Sequence, residues 1–300
     1  MSIEVAGLLK IYGAQKAVND ISFKVNKGEI VGFLGPNGAG KSTTMKIITG
    51  YLQADGGTAK VCGLDVQQDP ITVKKKIGYL PESNPLYYDM YVREYLAFVA
   101  GVHKIKDSKK KIEEVIALTG LATESKKKIG QLSKGYKQRT GLAAALVHDP
   151  EVLILDEPTS GLDPNQIIEI RNVIKQQGKN KTVLFSSHIL QEVEAVCDRV
   201  IIINKGEIAA NDTLANLQQG NNETHVVKVE FREEAVDKLK ALNDVISIEQ
   251  PRGSYFVIRT MQPEKVRRQL LELALQHNLN IVSLQTEGQS LEEVFRELTK

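Results

Sequence analysis

The chain has 300 residues, of which 42% are hydrophobic and 25% charged, and its formal net charge is +2. This length and composition predict a globular protein of one large domain or two smaller ones, and the near-neutral charge argues against a dedicated nucleic-acid-binding protein. The N-terminus does not resemble a signal peptide, and every apolar run is far shorter than the roughly 20 residues that cross a bilayer, so we expect a soluble chain.

Residues 1–210 alternate short apolar runs with helical patterns. Strands are predicted at Val18–Val25, Ile30–Leu34, Lys76–Leu80, Val152–Leu155, Thr182–Phe185 and Arg199–Ile203. Helices are predicted at Thr43–Thr49, Asn165–Gln177 and Ile189–Val196. Because the strands are apolar on both faces and alternate with helices, we expect a parallel sheet covered by helices.

The segment GPNGAGKS, Gly35–Ser42, fits the phosphate-loop pattern G-x-x-x-x-G-K-[ST] between a predicted strand and a predicted helix. Its backbone N–H groups and the helix N-terminus can surround phosphate oxygens. Lys41 is expected to reach the β- and γ-phosphates of ATP, and Ser42 to bind Mg²⁺. The predicted nucleotide-binding residues of this segment are Gly35, Pro36, Asn37, Gly38, Ala39, Gly40, Lys41, Ser42 and Thr43.

Residues 84–135 interrupt the alternation of strands and helices. Two helical patterns, Val92–Val102 and Lys109–Thr119, follow one another here without a strand between them. We interpret this segment as an inserted helical subdomain.

The segment VLILDEP, Val152–Pro158, is a buried strand that ends in two adjacent acids. Asp156 is expected to reach the Mg²⁺ ion, as in other phosphate-loop sites. Adjacent residues of a strand point in opposite directions, so Glu157 can serve a second task, and polarising the attacking water is the natural one. The two motifs together indicate a phosphate-loop nucleotide hydrolase or kinase.

Three further segments distinguish between these classes. LSKGYKQR (Leu132–Arg139) precedes the acidic strand, SGLD (Ser160–Asp163) follows it, and His188 ends the next strand. Together with the phosphate loop, this ordered set resembles the ATP-binding cassette (ABC) family over roughly residues 1–215. The resemblance implies a phosphate-loop α/β cassette with a helical insertion at 84–135.

The resemblance also implies roles for matching residues. Ser133 would contact the γ-phosphate of ATP held by a second copy of the chain, with Gly135 allowing close approach. His188 would contact the γ-phosphate, Tyr12 would stack on adenine, and Asp163 would lie at the dimer interface. The expected catalytic residues are then Lys41, Glu157 and His188.

Three positions depart from the common family pattern. Lys134 replaces a glycine and Tyr136 replaces a glutamine in the segment LSKGY, and we assign Tyr136 no nucleotide contact. Glu82, in YLPES, stands where glutamine is usual. Because a carboxylate can also bind Mg²⁺, the expected metal ligands are Ser42, Glu82 and Asp156.

Residues 216–300 are predicted to form a second domain. The QQGNNET half of the polar stretch Asn211–Thr224 resembles a linker. After it, we predict strand His225–Phe231, helix Glu233–Leu242, strands Val245–Gln250 and Ser254–Thr260, helix Pro263–Leu279 and strand Asn280–Gln285. This β-α-β-β-α-β order is typical of a small ferredoxin-like domain. Ser290 and Glu293 form a candidate capping box for a last helix through Leu298.

The resemblance implies an ATP-hydrolysing subunit that uses ATP and Mg²⁺ and forms a head-to-tail homodimer. It would drive a separate transmembrane permease from the cytoplasmic face of the cell membrane. GYLPE and the C-terminal SLEEVF are similar to exporter-type cassettes, among them the gliding-motility-associated ATP-binding subunits.

Three alternatives remain at this point. Soluble cassette proteins of ribosomes or DNA usually carry two cassettes or a long coiled coil, which this sequence lacks. A phosphate-loop kinase would not need LSKGY, SGLD and His188. A nucleotide-gated binding module is disfavoured by the intact Lys41 and Glu157.

Overall fold

A computed structural model describes residues 1–219, 225–233, 239, 242–287 and 291–300. The chain divides into two compact units, Met1–Asp212 and Thr213–Leu298. The division falls a few residues before the domain boundary expected after residue 215. Within the described residues, no helix combines the length and hydrophobicity that crossing a membrane requires.

The first unit contains ten strands and seven α-helices among its described residues. In chain order they are β1 (Ile3–Tyr12), β2 (Gln15–Val25), β3 (Ile30–Leu34), α1 (Lys41–Ile48), β4 (Gly56–Val61), β5 (Leu64–Asp65), α2 (Pro70–Lys76), β6 (Ile77–Leu80), α3 (Val92–Val102), α4 (Ser108–Leu118), α5 (Lys134–Leu146), β7 (Val152–Leu155), α6 (Pro164–Gly178), β8 (Thr182–Ser187), α7 (Leu190–Val196), β9 (Arg199–Asn204) and β10 (Glu207–Thr213).

The larger sheet of this unit has the strand order β10-β9-β3-β8-β7-β6. Strand β3 pairs in parallel with β8 and β9, and β7 pairs in parallel with β6 and β8. Every residue of β7 and β8 is buried, which agrees with the apolar sequence of β7 and the apolar centre of β8. The carboxyl ends of β3, β7 and β8 therefore meet at one edge of the sheet, where α/β proteins bind ligands.

A second, antiparallel sheet with the order β2-β1-β4-β5 packs against the larger one. Phe23 of β2 and Phe33 of β3 meet across this core, with ring centroids 5.5 Å apart. From this sheet the sequence predicted only β2, as Val18–Val25, without its first three residues. Strands β1 and β4 carry polar residues and glycines, so their sequences lack the continuous apolar runs on which the strand predictions were based.

Helices α3 and α4 lie where the helical subdomain was expected. Val92, Leu96 and Ala100 form the buried face of α3 at the i, i+4, i+8 spacing of one helix side. Helix α5, which the sequence did not predict, follows this pair and packs against α3 and α4. Its buried face includes Gly141 and small alanines, which give a weak amphipathic pattern.

The second unit contains the remaining described elements. These are α8 (Leu214–Gln219), β11 (His225–Phe231), β12 (Val245–Arg252), β13 (Tyr255–Thr260), α9 (Pro263–Gln276), β14 (Ile281–Glu287) and α10 (Leu291–Leu298). The antiparallel sheet has the order β12-β13-β11-β14, and its core is made of apolar residues from β11, β13 and α9.

Several predictions for this unit fall on residues outside the described ranges. The predicted helix Glu233–Leu242 is described only at its ends and at Leu239, Ser290 of the capping box is not described, and neither is most of the QQGNNET linker. The residues just before that linker form α8, so part of the polar stretch is helical rather than irregular.

The two separate cores predict that the first unit folds without the second. A chain ending at Gly220 retains both sheets of the first unit and their buried residues. We expect this truncated chain to melt cooperatively in circular dichroism and to bind a fluorescent ATP analogue. A truncated chain that cannot fold would show that the second unit is part of the cassette core.

Candidate functional site

The phosphate loop connects β3 to α1 and is packed too tightly for side chains at two glycines. A Cβ atom at Gly35 would overlap the carbonyl oxygen of Ile203, and one at Gly40 would overlap that of Ala17. Gly40 also has a φ of 110°, which L-residues rarely adopt. Close packing therefore requires glycine at these two positions, in addition to the role of the glycines in exposing backbone N–H groups.

Lys41 is the first residue of α1, yet its side chain is only 6% exposed. Its ammonium donates hydrogen bonds to the carbonyl oxygens of Gly35 at 2.8 Å and Pro36 at 3.2 Å. Its Nζ atom also lies 3.4 Å from Oε1 of Glu157. The positive charge thus lies inside the loop, directly beside the acidic strand end.

Asp156 follows the last residue of β7 and is 1% exposed. Its Oδ1 atom accepts hydrogen bonds from Ser42 Oγ at 3.0 Å and from Ser186 Oγ at 2.6 Å. Its Oδ2 atom is buried and has no hydrogen-bond partner among the described residues. A buried carboxylate oxygen without a partner, next to a serine hydroxyl, fits a hard divalent cation such as Mg²⁺.

Glu157 lies between two partners that carry or can carry positive charge. While Oε1 faces Lys41, Oε2 accepts a hydrogen bond from His188 Nδ1 at 2.8 Å. The backbone N–H of Glu157 donates to Ser186 Oγ at 2.9 Å, and its φ of 50° is in the left-handed region. A residue whose side chain is held by two partners and whose backbone is held by a third, in an unfavourable backbone conformation, is typical of a functional site.

A cavity of about 290 Å³ lies at the phosphate loop. It is lined by Ala17, Asn37, Gly38, Gly40, Lys41, Ser42, Thr43, Glu82 and Glu157. The structure therefore places Glu82 at the same cavity as Ser42, and it places Asp156 within a hydrogen bond of Ser42. The three residues expected to bind the metal share one region.

Tyr12 and the residues of LSKGY do not line this cavity. The Tyr12 side chain is half exposed at the end of β1, and Lys10 Nζ lies 5.6 Å from its ring centroid. Ser133 caps α5 by accepting a hydrogen bond from the Tyr136 N–H at 3.4 Å, and Gly135 packs against the side chain of Gln166.

The segments LSKGY and SGLD lie next to each other. Asp163 caps α6 by accepting a hydrogen bond from the Gln166 N–H at 3.0 Å, and the Lys134 side chain packs against Gly161. The two segments thus form one surface of the chain, apart from the residues that line the phosphate-loop cavity.

Ser186, Thr159 and Glu192 belong to the site, although the sequence assigned them no role. Ser186 bonds to both Asp156 and Glu157. Glu192 accepts hydrogen bonds from Thr159 and Ser187. Two features of the sequence could have identified these residues. The otherwise apolar strand ends in the polar segment FSSH, and an acid follows His188 by four residues.

A larger groove of about 710 Å³ is lined by residues of α2, α3, α5 and the segment Pro81–Pro85. Ile71 of α2 and Val102 of α3 line it and are 73% and 65% exposed. Glu82 lines both the groove and the phosphate-loop cavity. Asp156 also lines the groove, so two acidic residues of the candidate site border it.

Two histidines also line the groove. The rings of His103 and His148 are stacked, with centroids 3.8 Å apart, and His148 Nε2 is 2.9 Å from the carbonyl oxygen of Ile77. Burial and the neighbouring His103 lower the pKa of His148 to about 4, so this ring is neutral at pH 7. The groove wall therefore carries no charge from His148 at that pH.

Comparisons with known proteins agree with this geometry. The family model described as "ABC transporter" matches residues 18–160. The linearmycin resistance ATP-binding protein LnrL of Bacillus subtilis is 36% identical, with 99% of this chain and 98% of LnrL covered. The bacitracin transport ATP-binding protein BcrA of Bacillus licheniformis is 34% identical, with 99% of this chain and 96% of BcrA covered.

Solved structures share the fold. An ATP-binding subunit of an ABC transporter has a TM-score of 0.68 at 31% identity, covering 73% of this chain and 92% of its own. The dimeric bacterial ABC transporter cassette MJ0796 has a TM-score of 0.66 at 24% identity, covering 71% of this chain and 98% of its own, and supports the fold alone. With its phosphate loop, acidic strand end and near full-length relatives, the chain belongs to the ABC transporter family as an ATP-binding, ATP-hydrolysing subunit.

Proposed function

We propose that this chain hydrolyses ATP in a head-to-tail homodimer and thereby drives a separate transmembrane permease, most simply as an exporter. The observation that carries the proposal is the position of Glu157, which lies between Lys41 and His188 and follows Asp156, whose Oδ2 atom has no partner in the described part of the chain. This arrangement places a candidate base, a phosphate ligand and a metal ligand at one strand edge.

ATP binding begins with a change of partners at Lys41. In the structure, the ammonium is satisfied by two carbonyl oxygens and Glu157. The β- and γ-phosphates offer it stronger, fully charged acceptors, and its departure frees Oε1 of Glu157. Ser42, Asp156 and Glu82 would hold Mg²⁺, which would supply positive charge to offset that of the phosphates.

Glu157 then acts as the general base for the attacking water. Its freed oxygen accepts the water proton as the water oxygen attacks the γ-phosphorus and the bond to the β-phosphate oxygen breaks. The Nδ1–H group of His188 donates a hydrogen bond to the other carboxylate oxygen, which fixes the orientation of the carboxylate. The Nε2 atom of His188 can then contact the phosphate.

A second copy of the chain completes the site. Ser133 is exposed on the surface shared by LSKGY and SGLD, whereas Gly135 is buried against Gln166, and neither lines the phosphate-loop cavity of its own chain. A head-to-tail dimer brings this surface over the ATP of the partner, with Ser133 on the γ-phosphate and Asp163 at the interface. Tyr12, half exposed at the end of β1 in the antiparallel sheet, would stack on adenine.

The groove is the proposed contact with the permease. Its exposed apolar walls suit a short amphipathic helix from the cytoplasmic side of a membrane protein. Because Glu82 lines both cavities, a change at the nucleotide site reaches this contact through one side chain. The chain would then lie at the cytoplasmic face of the membrane through its partner.

The direction of transport is inferred from relatives. LnrL is named for linearmycin resistance and BcrA for bacitracin transport, both of which suit removal of a compound from the cell. The finer similarity to gliding-motility-associated subunits stays a prediction. We further infer that the second unit is ferredoxin-like, since its sheet order β12-β13-β11-β14 is the one that such a β-α-β-β-α-β chain forms.

The variant Glu157→Gln tests the proposed chemistry. It keeps the shape of the side chain and removes its charge, so ATP binding through Lys41, Ser42 and Asp156 survives. Losing a general base slows the chemical step by roughly 10²–10⁴-fold. The ATP-bound dimer should therefore accumulate, and light scattering at high protein concentration should show a shift from monomer to dimer when ATP is added.

The control for this experiment is Lys41→Ala, which should stay monomeric because it lacks the main phosphate ligand. If Glu157→Gln binds ATP but hydrolyses it at the wild-type rate, or remains a monomer, the proposed mechanism is wrong.

The double variant Ile71→Asp, Val102→Asp tests the permease contact. Two charges on the apolar walls should weaken binding to inverted, urea-stripped membrane vesicles of the source cells about tenfold or more in a sedimentation assay. ATP affinity of the isolated chain should not change, because neither residue lines the phosphate-loop cavity. Ile168→Asp, also an exposed isoleucine, is the control. If the double variant sediments with the vesicles as the wild type does, the groove is not part of the permease interface.

A further inference from the structure

Glu192 is a buried acid on α7, outside the motifs that define the family. Only 3% of the residue is exposed. Its Oε1 atom accepts a hydrogen bond from Thr159 Oγ1 and its Oε2 atom one from Ser187 Oγ, both at 2.6 Å. Among the described residues it has no ion-pair partner, so two neutral hydroxyl groups and its place in the first turn of α7 offset its loss of water.

Both hydroxyl partners are close in sequence to residues of the nucleotide site. Thr159 comes two residues after Glu157, and Ser187 immediately precedes His188. Glu157 and His188 are themselves joined at 2.8 Å. The two chain segments and their two cross-connections therefore form a closed ring, with the Glu157–His188 hydrogen bond on one side and Glu192 on the other.

This ring limits how far the two segments can separate. The residue Thr159 also starts the turn toward SGLD, since its carbonyl oxygen accepts from the Leu162 N–H at 3.2 Å. Strand β8 fixes Ser187 through the sheet, but the segment after Glu157 is held by no strand. Glu192 is thus the side chain that ties that segment to the end of β8.

We propose that Glu192 is a positioning residue, which sets the distance between Glu157 and His188 and so fixes the orientation of the Glu157 carboxylate toward the attacking water. This inference rests on the proposed role of Glu157. A purely structural role is disfavoured because the other buried side chains of α7, Leu190, Val193 and Val196, are apolar. An apolar residue would fill the same space without the cost of burying a carboxylate.

The experiment compares Glu192→Ala and Glu192→Gln with Glu194→Gln, an exposed acid on the same helix. Alanine removes both acceptors, whereas glutamine keeps one carbonyl acceptor and the side-chain shape. We expect kcat for ATP hydrolysis to fall about 10- to 100-fold in Glu192→Ala, since small displacements of reacting groups have effects of this size. Glu192→Gln should show a smaller loss, and Glu194→Gln none.

The ATP dissociation constant should change less than about twofold in these variants, because Lys41 and Ser42 keep their positions and phosphate contacts dominate binding. A second comparison separates positioning from loss of stability. In a Glu157→Gln background, Glu192→Ala should leave the residual kcat unchanged, because the group that it positions has been removed. An equal loss of kcat in both backgrounds would indicate a general structural role and overturn the proposal.

Thr159→Val keeps the test valid if Glu192→Ala does not fold. Valine preserves the shape of threonine and removes one of the two donors, and we expect a several-fold lower kcat. If folded Thr159→Val and Glu192→Gln both hydrolyse ATP at the wild-type rate while Glu157→Gln is inactive, the positioning role is wrong and the proposed function stands. If Glu157→Gln itself is fully active, the proposed role of Glu157 as the general base is wrong, and the positioning role that rests on it is wrong as well.

Discussion

The parallel pairing of three buried strands is the constraint on which the nucleotide site depends. Leu34 of β3 is in register with Ser187 of β8, and Leu155 of β7 with Phe185 of β8. Continuing these registers by one residue brings Gly35 level with His188 and Asp156 level with Ser186. A shift of one residue in the pairing of β7 with β8 would turn every side chain of β7 to the other face and separate Asp156 from Ser186.

The strand register alone does not stabilise the site, because it buries several charged side chains next to one another. Lys41, Asp156 and Glu157 are all at least nine-tenths buried. Burying a charge is costly unless charges or hydrogen bonds compensate for it. Here one lysine faces one glutamate, and the hydroxyls of Ser42 and Ser186 satisfy one oxygen of Asp156. The oxygen that remains is the one a metal ion would satisfy.

The sequence predicted the features that depend on local pattern. The phosphate loop, the acidic strand end and His188 follow strands whose apolar runs are visible without a structure, and these residues do lie together. The antiparallel sheet was missed because β1 and β4 have no continuous apolar run, and β4 pairs with β1, a strand far earlier in the chain. Glu192 was missed because its partners lie 33 and 5 residues away and are hydroxyls without a motif. Glu82 was predicted as a metal ligand, but its place at the larger groove as well required three-dimensional coordinates.

The central claim is that each ATP lies between the phosphate loop of one chain and Ser133 of another. Its most direct test is ATP hydrolysis by a mixture of two inactive variants, Lys41→Ala and Ser133→Arg, at high protein concentration. Either variant alone has both composite sites damaged. A mixed dimer carries one site with both substitutions and one site with neither, so the account predicts that mixing restores hydrolysis well above that of either variant alone. A mixture no more active than the average of its two components would contradict it.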